Sequence, residues 1–237
     1  VAISKLVVIG LVEVIGSFAL GALAIYLNHW TVEDLVWGIW ISSLIVGLIF
    51  LYTNFWAIPF QVLQSSGEAL PKARRLAASI VVAVLFSLFY TLHFGGFHLG
   101  HAMFLSSFFP LERDGVVLNL FSAQSDAELI NSLKVFFKAL LEIFWPLILL
   151  NFWLSRETIF GRSTPNTPGK STKNISPMSV YVTVAKMHVL IFAMVGLKNA
   201  NVVNVSIAYI VLFFFFFPLR EFFYFFRQFA MNSVLRK

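Results

Sequence analysis

The sequence predicts an all-α fold, a polytopic membrane bundle of about six transmembrane helices with both termini cytoplasmic. Three observations predict it. The 237 residues are 59% hydrophobic and only 12% charged, which one soluble core cannot accommodate without exposing large apolar surface. The apolar residues fall in runs long enough to cross the roughly 30 Å of hydrocarbon in a bilayer. The basic residues gather in alternate loops between those runs, the pattern that the positive-inside rule produces. Polar stretches are short enough to be loops, so residues 1–237 read as a single transmembrane domain with no soluble domain.

The first run, Leu6 to Leu27, is about 33 Å long as a helix. A signal-peptide core is only about 7–15 residues, so this segment reads as a retained span although Ala22-Leu23-Ala24 imitates a cleavage site. The second run, Leu35 to Val62, carries Trp37, Trp40 and Trp56, with Pro59 expected to kink or end it. The third, Leu76 to Phe109, exceeds an ordinary span, and Gly95-Gly96 is the expected place for a bend or break. Residues 111–133 mix charged and apolar positions and read as an outer amphipathic loop or lid. The fourth run, Val135 to Leu154, is crossed by Lys138, Glu142, Pro146 and Asn151. Residues 156–176, with Ser-Thr-Pro-Asn-Thr-Pro-Gly-Lys, read as a cytoplasmic flexible loop. The fifth run is Met178 to Leu197 and the sixth Val202 to Leu219, followed by an aromatic and basic tail expected to lie in the interface.

Orientation follows from the loops. Lys72, Arg74 and Arg75 fall in one loop, Arg156, Arg162, Lys170 and Lys173 in another, and Arg220, Arg227, Arg236 and Lys237 at the C-terminal end. The intervening loops carry Glu33 and Asp34, a mixed set between Glu112 and Glu128, and Lys198. The formal charge of +6 is therefore assigned to topology in an inner membrane, with the lipid bilayer as partner and no nucleic acid. With no cysteine in the chain, thiolate metal sites, disulfides and thiol nucleophiles are excluded.

Three of the five histidines lie in His93-Phe94-Gly95-Gly96-Phe97-His98-Leu99-Gly100-His101. At about 100° per residue, His101 is about 80° and His98 about 140° from His93, so one broad face is expected to hold all three. The glycines are expected to let another backbone approach. Neutral imidazole ligates metals without a thiol partner, so the sharp expectation is a divalent transition metal, zinc preferred. Its ligands would be His93, His101 and His188, with His98 and Glu142 as further candidates. The plain alternative is hydrogen bonding between helices. Lys138 and Glu142 are spaced i, i+4 to neutralise each other. Lys138 and Glu13 are read as buried polar groups, Glu13 facing the bundle interior protonated or paired.

Trp40-Ile41-Ser42-Ser43-Leu44-Ile45-Val46-Gly47, the His93 segment with His101 and Phe104, and Met187-His188 together resemble an uncharacterised bacterial multi-pass membrane family, a domain of unknown function. The resemblance touches the second, third and fifth spans. It implies His93, His101 and His188 as the matching histidines, with His98 extra. Members often carry Glu-Asn where this chain has Ser42-Ser43. The resemblance implies no activity, and the sequence by itself identifies neither a catalytic residue nor a reaction.

Three functional readings follow. The first is an outward-side intramembrane histidine site holding a metal. The second is a non-catalytic subunit of a larger membrane complex, as a homo-oligomer or with other subunits, motivated by 28 phenylalanines and six tryptophans. The third is a small-solute or proton-coupled transporter using Glu13, Lys138 and Glu142, disfavoured by the lack of an internal repeat.

Overall fold

A computed structural model describes residues 5–64, 71–113, 116–117, 125–160, 178–202 and 204–216. Six helices account for nearly all of them: α1 (Lys5–Leu27), α2 (Val32–Gln64), α3 (Lys72–Phe108), α4 (Asp126–Phe160), α5 (Met178–Asn199) and α6 (Val205–Phe216). Two of these, α2 and α3, are long and apolar enough to cross a membrane among the described residues. The chain divides into two compact units, one of residues 1–35 and 188–237, the other of residues 36–187.

Local chemistry sets the helix ends of the first unit. α1 closes with His29 at φ 51, while Trp30 N–H reaches Ile25 O and His29 N–H reaches Tyr26 O. These are the paired bonds of a Schellman cap. α5 ends the same way, with Asn201 at φ 54 and Val202 N–H on Leu197 O. α2 then opens with a capping box. Thr31 Oγ1 accepts from Asp34 N–H at 3.2 Å, and Asp34 Oδ2 accepts from Thr31 N–H at 2.9 Å. Asp34 is thereby satisfied although it is 3% exposed. In the same unit Lys198 Nζ donates to Glu33 Oε1 at 2.7 Å, and the Tyr209 hydroxyl of α6 donates to Phe18 O of α1.

In the second unit α2 is the central helix. Two thirds of its apolar window, 67%, is buried, against 17% for α3. α2 and α3 run antiparallel: Trp37 bonds Phe109 O, Gly47 meets Phe94, Tyr52 bonds Thr91, and Phe55 lies against Phe86. The face that α3 turns inward is Ser79, Ala83, Ser87, Phe94, His98, Ala102 and Leu105. Its small members let the two backbones come close. Gly38 and Gly47, nine residues and so about 180° apart on a helix, serve opposite neighbours. A Cβ on Gly38 would meet Leu147 Cδ1 of α4 at 2.7 Å, and one on Gly47 would meet Phe94 Cζ of α3 at 2.4 Å.

Several expectations change. α2 passes through Pro59 and ends only at Gln64. α3 is continuous through Gly95-Gly96, about 55 Å of helix by its 37 residues. Among the described residues a Cβ at Gly95, Gly96 or Gly100 would meet nothing within 4 Å, so none of their backbone approaches there. Within residues 111–133, expected as an outer amphipathic loop or lid, Glu112–Arg113 pairs antiparallel with Val116–Val117, and α4 begins at Asp126. Residues 161–176 of the expected inner loop and the aromatic tail after Phe216 lie outside the described residues.

Candidate functional site

The histidine segment sits on α3 opposite the first half of α2. His98 is fully buried. Its Nδ1 lies 2.9 Å from Phe94 O, and a carbonyl only accepts, so Nδ1 is the donor of this bond. The Phe94 ring is 4.2 Å from the imidazole, centre to centre, and the Trp40 ring 6.2 Å. Trp40 Nε1 donates to His98 O at 3.1 Å, and Trp37 Nε1 donates to Phe109 O at 2.7 Å. Two indoles of α2 thus hold α3 at His98 and at its end. α4 closes the cluster with Phe136, 5.2 Å from Trp37 edge to face, and Phe137, 6.1 Å from Trp40.

His101 is half-buried, edge-on to Phe97 at 4.6 Å and 6.2 Å from the His98 ring. His93 is exposed and stacks on Phe89 at 5.6 Å with the planes 5° apart. The expected broad face therefore does not form: the angular gap between His93 and His98 sets them on opposite sides of the burial boundary. His98, the residue ranked behind the other histidines, is the one built into the core.

The remaining candidates are spread over other elements. Glu142 and Lys138 face out of α4, 3.8 Å apart, with side chains 66% and 76% exposed. Lys138 is thus not a buried group, which corrects that expectation, and Glu142 points away from the core face of Phe136, Leu140 and Phe144. Glu13 is half-buried on α1. His188 belongs to α5 in the other unit, and its side chain lies outside the described residues. No group of three or more His, Asp or Glu that would hold a metal is assembled among the described residues.

Sequence reasoning missed the two indole clamps and the Gly47–Phe94 contact. A glycine in the middle of a span, and tryptophans three apart, were the available signals. A hydroxyl relay was missed too: Thr91 Oγ1 donates to Ser87 O at 2.6 Å, so Tyr52 donates to Thr91 at 2.7 Å. Chemically the arrangement is a buried imidazole, hydrogen-bonded through Nδ1 to a backbone carbonyl, inside an aromatic core. No family model matches the chain, and no curated protein and no solved structure matches it either.

Proposed function

We propose that the chain is a six-span integral protein of a bacterial inner membrane, with both ends cytoplasmic, and that it serves as a non-catalytic subunit of a membrane assembly. The observation that carries this reading is the contrast on α3. Its inward histidine is committed to backbone and aromatic packing, while most of its apolar surface, including Leu85, Leu88, Phe89 and Leu92, is exposed. In water such a surface would drive association or insertion.

Within each unit, one contact fits the alternation of loops on which the orientation rests. The bond from Trp37 to Phe109 O joins the start of α2 to the end of α3, and the Glu33–Lys198 pair joins the start of α2 to the end of α5. Both agree with loops that the charge pattern assigns to the outer side. A histidine metal site is the weaker reading, since no group of three His, Asp or Glu is assembled among the described residues. Native mass measurement in mild detergent tests the subunit reading. An assembly heavier than one 26.8 kDa chain is expected, and a lone monomer under the gentlest extraction contradicts it.

A further inference from the structure

Between Asp34 and Glu112 the sequence holds three Lys or Arg, namely Lys72, Arg74 and Arg75, against one acid, Glu68, which lies outside the described residues. The formal positive charge of α2 and α3 is therefore gathered in the first turn of α3. The three side chains divide between faces. At about 100° per residue, Arg75 falls within about 40° of Ser79, on the side that α3 buries, and it is half-buried there. Arg74 is about 100° away from Arg75 and is exposed, as is Lys72.

Further along the helix, the line that Arg74 begins is apolar and open. Ala78, Val81 and Leu85 all fall within about 40° of Arg74, and Val81 is 56% and Leu85 60% exposed. From Arg74 to Leu85 is about 16 Å of helix, the depth of one leaflet of a hydrocarbon core about 30 Å thick. The surface thus joins a cationic end to an apolar strip one leaflet deep. Free phosphate or an acidic protein segment matches the charges and leaves the strip unused. A zwitterionic lipid covers the strip and brings no net charge to the bases. A phospholipid with an anionic head group matches both parts, and a guanidinium meets a phosphate bidentately.

We propose that the first turns of α3 hold an anionic phospholipid of the inner leaflet. Its head group lies on Arg74 and Arg75, with Lys72 adding charge within the same turn, and an acyl chain runs along Val81 and Leu85. The proposal rests on the membrane reading above, whose orientation sets this turn at the cytoplasmic surface.

The test uses the whole chain purified in mild detergent and titrated with dioleoylphosphatidylglycerol and, separately, with dioleoylphosphatidylcholine. Bound lipid is read by native mass spectrometry. The wild type is expected to bind the anionic lipid about tenfold more tightly or better, since each cation near the head groups is worth about fivefold. Arg74→Gln is expected to reduce the preference about fivefold, and the combined Lys72→Gln, Arg74→Gln and Arg75→Gln variant to abolish it. Arg74→Lys, which keeps the charge, retains most of it, and Arg156→Gln, in the last turns of α4, leaves it unchanged. Leu85→Asn keeps the charges and weakens binding of the anionic lipid.

Equal affinity of the wild type for the two lipids overturns the proposal. So does a preference that survives the triple substitution, or one that Arg156→Gln removes as fully. Displacement of the lipid by excess inorganic phosphate overturns it too, because the site would then take an anion alone. If the triple variant fails to fold, which a tryptophan-fluorescence unfolding curve reports, Arg74→Gln decides the matter by itself. Chain released from native membranes by alkaline washing overturns the membrane reading, whereas chain that stays in the pellet and shows no lipid preference overturns this proposal alone.

Discussion

Gly47→Ala should damage this protein more than any other glycine-to-alanine change on α2 or α3. The added Cβ would lie 2.4 Å from Phe94 Cζ and 2.8 Å from Cε1, whereas carbon atoms settle at about 3.5–4.0 Å. The ring must therefore retreat by about 1 Å. It is 1% exposed and has His98 behind it at 4.2 Å between ring centres, so free space is absent. Overpacking of this kind costs about 1–3 kcal/mol, and the better helix propensity of alanine returns at most about 1 kcal/mol. A net loss of about 1–2 kcal/mol follows. The assay is equilibrium unfolding in mixed micelles, read from tryptophan fluorescence. Gly95→Ala is the control, since its Cβ meets nothing, and it should be neutral or slightly stabilising. In a double-mutant cycle Phe94→Leu should cost less beside Gly47→Ala than alone. Equal stability of the two alanine variants, or strict additivity in the cycle, would refute the packing argument.

Other consequences are as specific. Trp37→Phe keeps the ring but strands the buried Phe109 carbonyl, which lies beyond the α3 hydrogen-bond ladder, at a cost of about 1–3 kcal/mol. Trp40→Phe should cost less, because His98 O also belongs to that ladder; the ranking is read in the same unfolding assay. Glu33 lies in the first turn of α2, ahead of the apolar run. Burial raises its carboxyl, but the hydrogen bond and charge of Lys198 outweigh this and hold it below its usual 4.5. Its contribution is therefore full above pH 4.5 and is lost as the pH falls through the lower folded value. Lys198→Met should flatten that acid limb of the stability profile, and an unchanged limb would exclude the pair as its source. Elemental analysis of detergent-purified protein should find no near-stoichiometric transition metal that disappears in a His93→Ala, His101→Ala double variant. Such a metal would reinstate the ligand role of these histidines.

The helices were legible in the sequence because length and apolarity decide them: α1 and α5 match their runs nearly residue for residue. Which face of a span points inward was not. These helices are apolar all round, so hydropathy carries little periodic contrast along them, and nothing in the sequence marks Trp37 and Trp40 as the buried side, where the structure puts them. Size rather than polarity marks the core face, through Gly38, Gly47, Ser79, Ala83 and Ala102. The same blindness affected the histidines. Their spacing was read as one face, but the boundary between core and surface falls between His93 and His98. Lys138 was expected inside because its run is apolar, yet it lies outward beside Glu142.

Single-cysteine labelling with a membrane-impermeant maleimide tests the central claim, a multi-pass protein with alternating loops, most directly. Ser107→Cys and Ala200→Cys should label in intact cells, while Ser66→Cys and Thr164→Cys should label only after permeabilisation. Uniform labelling at all four positions, or the reverse pattern, would contradict the account.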